Sequence, residues 1–341
     1  MSKKVRILSI DGGGIRGVLP GTILAYIESQ LQLKEGPDVR LADYFELIAG
    51  TSTGGILSCA YVTPNEDQRP KLTAQEAVNL YQEHGDKIFN VTFKHKLRTL
   101  GGITDEKFSA DELEGILKDY MGSTKLSEAF TPCLITAYDI QNRKAHFFTS
   151  ADATSEMYDY YLRDVCRATS AAPTYFEAAH IKSIMGASIA LVDGGVFANN
   201  PALCAYSEAR TMDFSKKDKA TNPKAKDMFL VSIGTGSTKK PYAYEKAKDW
   251  GMVQWIKPII DIMMSGNSET VSYQLHQLFD TTDAGVKEHY ARLEPEFFNA
   301  SAEMDDASEE NLNALKESGL KNVSKMKEQL DFIVDKLIEN H

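Results

Sequence analysis

The stretch from Phe45 to Ser58, FELIAGTSTGGILS, contains a short apolar run, a G-x-S-x-G motif and a second apolar run. This order predicts a buried strand, a tight turn and a helix, which is the arrangement of a nucleophile elbow. Ser52 would lie at the tip of a strained turn, and Gly50 and Gly54 would keep side chains out of the crowded space around it. The Ser52 hydroxyl would project beside the first turn of the helix, where backbone N–H groups favour an oxyanion. Ser52 is therefore the candidate nucleophile.

The composition is that of an ordinary globular chain. Its 341 residues are 43% hydrophobic and 25% charged, which is enough for one large domain or two small ones. The sequence shows no internal repeat and no linker long enough to divide it, so we expect a single domain over residues 1–341, with C-terminal helices from about residue 305 packed on it. The formal net charge of −10 and the lack of a basic patch with interleaved aromatic residues argue against nucleic acid as a partner.

The cysteines and the apolar segments indicate the compartment in which the protein would work. The four cysteines are widely spaced and form no C-x-x-C pair, so we expect reduced thiols, no disulfide framework and no bound metal: Cys59, Cys133, Cys166 and Cys204. No apolar run approaches the ~18 residues of a transmembrane helix, and we identify no signal peptide. The expectation is a cytoplasmic protein that contacts membranes only peripherally.

A glycine-rich loop follows the first predicted strand, Val5 to Ile10, and precedes a helix with apolar residues at helical spacing. The loop, DGGGIRG at Asp11 to Gly17, fits the dinucleotide-binding pattern G-x-G-x-x-G. That pattern also needs an acidic residue at the end of the second strand, about 20 residues further on. Here the second strand ends in Gly50-Thr51-Ser52, so we disfavour a dinucleotide site.

The same loop can instead present consecutive backbone N–H groups to a small anion. We expect Gly12, Gly13 and Gly14 to form an oxyanion hole, because a Cβ at these positions would block the close approach of a substrate. Arg16 would add positive charge nearby. A plain tight turn is the alternative, although it would not need three successive glycines. The P-loop pattern G-x-x-x-x-G-K-[ST] does not occur in the sequence.

The rest of the chain alternates between predicted strands and helices, which indicates an α/β protein with a mostly parallel sheet covered on both faces. Further strands are expected at residues 132–140, 143–149, 189–192, 228–233 and 289–293. Further helices are expected at residues 73–84, 111–120, 158–169, 201–210, 250–264 and 269–279, and from residues 306 and 322.

A serine hydroxyl is a weak nucleophile until a neighbouring base takes its proton. None of the seven histidines stands in a glycine-rich loop after a strand, so we expect a structural role for each. Asp193 differs, because it directly follows the strand Ile189 to Val192 and precedes Gly194-Gly195. It should therefore emerge at the carboxyl end of the sheet, where Ser52 also emerges. Partial burial would raise the pKa of Asp193 and make it a candidate base.

Three ordered motifs together resemble the patatin-like phospholipase family: Asp11 to Gly17, Gly50 to Gly54 and Asp193 to Gly195. Longer stretches look like plant patatins and extend the resemblance over nearly the whole chain: RLADYFELIAGTSTGG from Arg40, AAPTYF from Ala171 and EMDDASEENL from Glu303. One departure is Asp-Gly-Gly at Asp193, where plant patatins usually have Asp-Gly-Ala. Another is the lack of a recognisable signal peptide, which fits a cytosolic relative.

The resemblance implies a three-layer α/β/α sandwich around a mostly parallel mixed sheet, related to the α/β-hydrolases. It also implies a lipid acyl hydrolase that cleaves fatty-acyl ester bonds through a Ser–Asp dyad and an acyl-enzyme intermediate, without histidine, metal or another cofactor. By position, Ser52 would be the nucleophile, Asp193 the base, and Gly12 to Gly14 with Arg16 the oxyanion region. An acyltransferase, or a storage or interaction protein on the same scaffold, stays open as an alternative.

A lipid substrate has to leave a membrane or a micelle, so an apolar rim is expected near the site. The candidate rim residues follow residue 249: Trp250, Met252, Val253, Trp255, Ile256, Met263 and Met264. A helix of this kind more often packs in a core than contacts lipid, and we favour the core interpretation here. The lysines between Lys216 and Lys226 could meet anionic headgroups, although a solvated loop is the simpler interpretation.

Overall fold

A mixed sheet of eight strands lies at the centre of the molecule. The structure is a computed structural model that describes residues 3–89, 110–237, 241–280 and 286–341. The strands are β1 (Val5–Ile10), β2 (Leu47–Thr51), β3 (Cys133–Asp139), β4 (Lys144–Thr149), β5 (Ala179–Lys182), β6 (Ser188–Asp193), β7 (Met228–Ile233) and β8 (Tyr290–Leu293). Each predicted strand is present to within about two residues. β5 was not predicted, because its four residues AHIK are too few to show a pattern.

Helices cover both faces of this sheet. They are α1 (Val18–Glu35), α2 (Thr53–Val62), α3 (Ala74–Phe89), α4 (Ala110–Met121), α5 (Leu162–Thr169), α6 (Gly195–Ala198), α7 (Ala202–Ala209), α8 (Tyr244–Ala247), α9 (Met252–Asp280), α10 (Glu309–Lys325) and α11 (Lys327–Glu339). Short 3-10 helices lie at Gly14–Gly17, Leu41–Asp43, Leu126–Glu128, Asp152–Thr154, Ser215–Lys217, Ala225–Asp227 and Val286–His289.

Neighbouring side chains of the central strands enter two different cores, because successive strand residues point to opposite faces. Leu8 and Ile48 pack in a core with residues of α1 to α5, α10 and α11. Ile7 and Leu47 pack in a second core with residues of α7 and the C-terminal half of α9. The chain therefore has the predicted three-layer α/β/α arrangement.

Five strands form the parallel part of the sheet, in the order β3-β2-β1-β7-β8. Ile10 of β1 lies in register with Gly50 of β2 on one side and with Ile233 of β7 on the other. The glycine loop after β1, the serine turn after β2 and the loop after β7 consequently leave the sheet side by side. This carboxyl edge is where ligands bind in open α/β sheets.

Asp193 reaches this edge from the opposite direction. β4 pairs with β3 from Leu134 to Asp139, so β2 and β6 must share the other edge of β3. Along that edge β2 pairs with residues 133–136, and β6 pairs with residues 137–139 in the antiparallel sense. The two strands thus run toward each other, and their carboxyl ends meet. Our reason for expecting Asp193 near Ser52 was wrong, because β6 is not a further strand of the parallel sheet.

The helix α9 differs most from the prediction, because it is one continuous helix of 29 residues where two were expected. The expected break, Ser265 to Ser268, contains weak helix formers. Tertiary hydrogen bonds compensate: Asn267 Nδ2 donates to the Phe197 carbonyl oxygen (2.8 Å), and Asn267 Oδ1 accepts from the Asn200 N–H (3.2 Å). These bonds tie the middle of α9 to the segment that follows β6.

The lysine-rich loop lies at the amino edge of the sheet, away from the serine turn. It leads into β7, which begins at Met228 in register with Val5. Lys219 is buried, with its Nζ 2.7 Å from Glu46 Oε2, and Arg6 Nη2 lies 2.8 Å from Glu46 Oε1. A role of this loop at the headgroup of a substrate bound near Ser52 is therefore excluded by position.

Candidate active site

The turn between β2 and α2 is sharply constrained. Ser52 has a φ of 54°, a left-handed conformation that is strained for a residue with a side chain. A Cβ on Gly50 would lie 2.2 Å from the carbonyl oxygen of Gly54, and a Cβ on Gly54 would lie 2.2 Å from that of Ile10. Glycine is therefore required at both positions. The Ser52 N–H donates to Thr169 Oγ1 (2.8 Å), which holds the turn in place.

The Ser52 side chain lies beside Asp193: both residues line the same cavity, and the Ser52 hydroxyl is near enough to the Asp193 carboxylate to lower its pKa. Asp193 is held by its surroundings: the Gly195 N–H donates to Asp193 Oδ1 (2.7 Å), and the Asp193 N–H donates to the Ala171 carbonyl oxygen (3.0 Å). Ser52 is 9% exposed and Asp193 is 4% exposed. The two side chains are therefore both largely shielded from solvent.

Burial raises the proton affinity of the Asp193 carboxylate. It raises the pKa of Asp193 to about 6, and the hydrogen bonds from Ser52 and from the Gly195 N–H limit the rise. A carboxyl group with this pKa is mostly ionised at neutral pH, yet it is far more basic than an exposed aspartate. Such a group can accept the proton of a hydroxyl that contacts it.

The glycine loop lies beside the serine turn and presents two N–H groups. Gly13 and Gly14 line the same cavity as Ser52, and their N–H groups have no acceptor within the described ranges. Gly12 differs, because its N–H donates to the Asn199 carbonyl oxygen (3.0 Å) and is not available to an oxyanion. A Cβ on Gly12 would lie 3.3 Å from the Ser52 Cβ and 2.6 Å from Asn199 Oδ1. Gly12 thus allows the loop to approach Ser52 closely.

Side chains that hold the loop carbonyls set the direction of these two N–H groups. In a trans peptide the C=O bond and the following N–H bond point in opposite directions. Thr235 Oγ1 donates to the Gly12 carbonyl oxygen (2.7 Å), and so turns the Gly13 N–H to the other side. Arg16 Nε donates to the Gly13 carbonyl oxygen (3.1 Å), and so turns the Gly14 N–H likewise. Arg16 acts through the backbone, and it does not line the cavity.

Sequence reasoning missed Thr235. It follows β7, the parallel neighbour of β1, and a Cβ on Gly13 would lie 2.2 Å from its Oγ1. The one available signal was its place in Gly234-Thr235-Gly236, directly after a buried strand. A glycine-flanked hydroxyl at such a strand end has room to approach a neighbouring backbone.

Asp11, the residue before the glycines, anchors the loop to two other elements. Arg292 of β8 donates from Nη1 to Asp11 Oδ1 (2.9 Å) and from Nη2 to Asp11 Oδ2 (2.7 Å). Ser268 of α9 donates from Oγ to Asp11 Oδ2 (3.3 Å), and Asp11 is buried. This ion pair explains why an acid stands before the glycines without facing a ligand.

An apolar cavity of about 180 Å³ opens at Ser52 and Asp193. Its polar end consists of Gly13, Gly14, Ser52 and Asp193, and its α9 wall consists of Ile260, Met263 and Met264. Other apolar walls come from α2, α3 and α4: Ile56, Leu80, Ile88 and Leu113. An apolar cavity with a few convergent polar groups at one end suits a ligand with a hydrocarbon chain and one reactive polar group.

No histidine within the described ranges lines this cavity, and His95 lies outside them. His146 packs on Phe148 with ring centroids 4.5 Å apart, and His276 packs on Tyr290 with ring centroids 4.9 Å apart. The same ranges contain no cluster of His, Cys, Asp or Glu that could hold a metal ion. None of their helices is long and apolar enough to cross a bilayer.

The predicted apolar rim is split by the structure. Met263 and Met264 line the cavity, whereas Met252, Val253 and Trp255 are exposed. The favoured interpretation of this segment as a core helix is therefore wrong for Met252, Val253 and Trp255. The Ile256 side chain lies outside the described part of the structure.

Comparison with known proteins agrees with the motifs. A family model for patatin-like phospholipase matches residues 8–206. Patatin-like protein 2 of Oryza sativa subsp. indica is 36% identical over an alignment of 358 positions, which covers 98% of this chain and 88% of that protein. Patatin group D-2 of Solanum tuberosum is 37% identical over 334 residues, and the alignment covers 94% of this chain and 84% of that protein. Probable inactive patatin-3-Kuras 1 of Solanum tuberosum is 34% identical over 333 residues, and the alignment covers 94% of this chain and 86% of that protein.

These matches extend beyond the site motifs to nearly the full length of the chain. They cover the glycine loop, the serine turn and the strand that carries Asp193, as well as the C-terminal helices. The chain belongs to the patatin-like phospholipase family.

Proposed function

We propose that this protein hydrolyses fatty-acyl ester bonds of phospholipids or lysophospholipids through a Ser52–Asp193 dyad. The observation that carries the proposal is the proximity of the Ser52 hydroxyl to the buried Asp193 carboxylate at the polar end of an apolar cavity. One relative carries the word inactive in its name, so family membership does not decide activity. The intact dyad supports an active enzyme over a storage or interaction protein.

The first half of the reaction forms an acyl-enzyme. Asp193 takes the hydroxyl proton as Ser52 Oγ attacks the carbonyl carbon of the ester. The negative charge that develops on the carbonyl oxygen is stabilised by the Gly13 and Gly14 N–H groups. When the tetrahedral intermediate collapses, its C–O bond to the leaving alcohol breaks. Asp193 returns its proton to that alcohol, and the acyl group stays on Ser52.

The second half uses water in place of the alcohol. Asp193 takes a proton from a water molecule whose oxygen attacks the acyl carbon. Collapse of the second tetrahedral intermediate breaks the bond to Ser52 Oγ, and Asp193 gives the proton back to Ser52. The products are a free fatty acid and the starting enzyme. An alcohol in place of water would instead give acyl transfer, with the same residues in the same roles.

The test is fatty-acid release from phosphatidylcholine vesicles by wild type and by Ser52→Ala. We expect the variant to lose activity by about 10³-fold or more while its circular dichroism spectrum stays unchanged. Ser207→Ala is the matched control, because Ser207 is exposed on α7 and does not line the cavity. Equal activity of Ser52→Ala and wild type would refute the proposal. A product with the acyl group on an added alcohol would indicate an acyltransferase.

A reducing compartment, such as the cytoplasm, also fits the structure. All four cysteines are free, and Cys59 and Cys166 are buried close enough to interact, with no disulfide between them. In an oxidising compartment such a pair would tend to form a disulfide. Thiol titration of protein purified from its native cells should find four free thiols, and a disulfide there would contradict this assignment.

A further inference from the structure

The first half of α9 exposes a series of large apolar side chains. Met252 is 90% exposed, Val253 is 71% exposed and Met263 is 51% exposed, and Trp255, Ile259 and Ile262 each have more than a third of their surface in solvent. Clustered exposure of this kind on a soluble chain usually marks a binding surface.

Most of these residues share one side of the helix. Trp255, Ile259 and Ile262 follow at spacings of four and three, which places them on one stripe, and Met252 and Met263 flank it. We call these five residues the docking face. Tyr242 and Tyr244, in the segment before α9, are also exposed.

The docking face is continuous with the cavity. Met263 belongs to both, because it lines the cavity and is half exposed. Ile260 and Met264, on the adjoining side of the same turns, line the cavity as well. An acyl chain that passed from the docking face to Ser52 would therefore cross Met263 without leaving apolar surface.

The composition of the segment indicates what covers it. Tyr and Trp side chains are typical of the boundary between a bilayer and water, and four of them lie here: Tyr242, Tyr244, Trp250 and Trp255. From Tyr242 to Met263 the sequence has three acidic and three basic residues, so the segment has no formal net charge. The whole chain has a formal net charge of −10. The segment therefore offers a lipid surface apolar side chains and no net charge of its own, and burial of those side chains is the interaction that can drive binding.

We propose that the docking face inserts into the surface of a neutral, zwitterionic bilayer or micelle and passes substrate along Met263 into the cavity. This inference rests on the proposed lipid hydrolysis, because it supplies the route by which a lipid reaches Ser52. It differs from a general affinity for membranes in that it names one face of one helix and an uncharged lipid surface.

The test uses vesicles of diether phosphatidylcholine, which no esterase can hydrolyse, so binding is measured without chemistry. The two tryptophans of the chain, Trp250 and Trp255, both lie in this segment with rings 5.0 Å apart, and their emission reports its environment. We expect a blue shift and co-flotation for wild type. Raising the salt from roughly 0.05 to 0.5 M should not weaken binding.

The decisive variant is Ile259→Gln with Ile262→Gln, because neither side chain lines the cavity. We expect it to bind vesicles at least about tenfold more weakly than wild type. Leu33→Gln with Met185→Gln is the matched control, since these side chains are 78% and 61% exposed elsewhere on the surface. Unchanged binding of the decisive variant, or equal loss in the control, would overturn the proposal.

Two further results separate this proposal from its competitors. Sedimentation without lipid should give a monomer for both wild type and the decisive variant, and a wild-type dimer that the variant abolishes would show that a second copy covers the face instead. Hydrolysis of a soluble short-chain ester should be the same in both proteins. Vesicle binding by a protein that hydrolyses no ester would refute the enzymatic function and leave the docking face standing.

Discussion

Side-chain hydrogen bonds hold the backbone around Ser52, whereas the α9 wall of the same cavity continues into side chains that face solvent. At the polar end, Thr169 holds the serine turn, and Thr235 and Arg16 hold the glycine loop, each through a hydrogen bond to the backbone. On α9, the side chains of Ile259 and Ile262 are nearly half exposed. The difference fits the two proposals made above, in which one region performs the chemistry and the other receives the lipid. Substitutions in the two regions should therefore fail in different assays.

The largest effect is expected from Asp193→Asn, because an amide cannot accept the Ser52 proton. The kcat/KM for a soluble ester should fall by about 10³-fold or more. Asp218→Asn makes the same chemical change at an exposed residue, and it should leave kcat/KM unchanged. Activity of Asp193→Asn within tenfold of wild type would mean that another group is the base.

The ion pair behind the glycine loop should dominate stability. In Arg292→Gln the buried Asp11 carboxylate loses its main partner, so the free energy of unfolding in urea should fall by about 3–5 kcal/mol at pH 7. Arg210→Gln, on an exposed side chain, should change it by less than about 0.5 kcal/mol. A small loss in Arg292→Gln would show that Ser268 and water suffice to hold Asp11.

Thr235→Val tests whether the loop carbonyls direct the oxyanion donors. Without the hydroxyl, the Gly12 carbonyl and the following Gly13 N–H are free to turn, and kcat should fall by about 10- to 100-fold with little change in KM. Thr235→Ser keeps the donor and should restore most of kcat. An equal loss in Thr235→Ser would mean that the side chain acts through packing and not through its hydrogen bond.

The buried Asp193 carboxylate should also lower the free energy of unfolding at pH values above its pKa. Its pKa is about 6 in the folded protein, and an unfolded aspartate titrates near about 3.9, so the folded state holds the extra proton between these values. Stability therefore falls as pH rises through this window. Asp193→Asn removes the buried charge and should raise the free energy of unfolding by about 3 kcal/mol at pH 8, with a smaller gain at pH 5. Equal stability at both pH values would contradict the raised pKa.

The smallest effect on catalysis is expected from substitutions on the exposed side of α9. Ile259→Gln with Ile262→Gln should change kcat/KM for a water-soluble ester by less than about twofold, because neither residue contacts the cavity. The same variant should hydrolyse lipid in vesicles much more slowly. A loss on the soluble ester that matches the loss on vesicles would show that α9 also shapes the polar end.

The polar end could largely be predicted from the sequence because its requirements are local. Gly50 and Gly54 are needed by the turn itself, and Gly12 is needed by the close approach of the loop to Ser52. The direction of β6 could not be predicted, because it depends on which edge of β3 is already occupied by β4. Thr235 was missed for the same reason, since its contact with Gly12 joins residues 223 positions apart.

The α9 wall could not be predicted because periodicity shows that a helix has an apolar side but not what covers that side. The run from Trp250 to Met264 would look the same in a core helix and at a lipid surface. The continuity of α9 was also hidden, because Asn267 and Ser268 are weak helix formers until Phe197, Asn200 and Asp11 bind them.

The dyad is tested most directly with a fluorophosphonate, a reagent that phosphonylates activated serines. The measured quantity is the rate at which it modifies the protein as a function of pH. We expect mass spectrometry to find the label on Ser52, at a rate that rises with a midpoint near the Asp193 pKa of about 6 and is then level to pH 8. In Asp193→Asn the rate should be at least about 10³-fold lower at every pH. A label on another residue, or an unchanged rate in Asp193→Asn, would contradict the assignment of Asp193 as the base of Ser52.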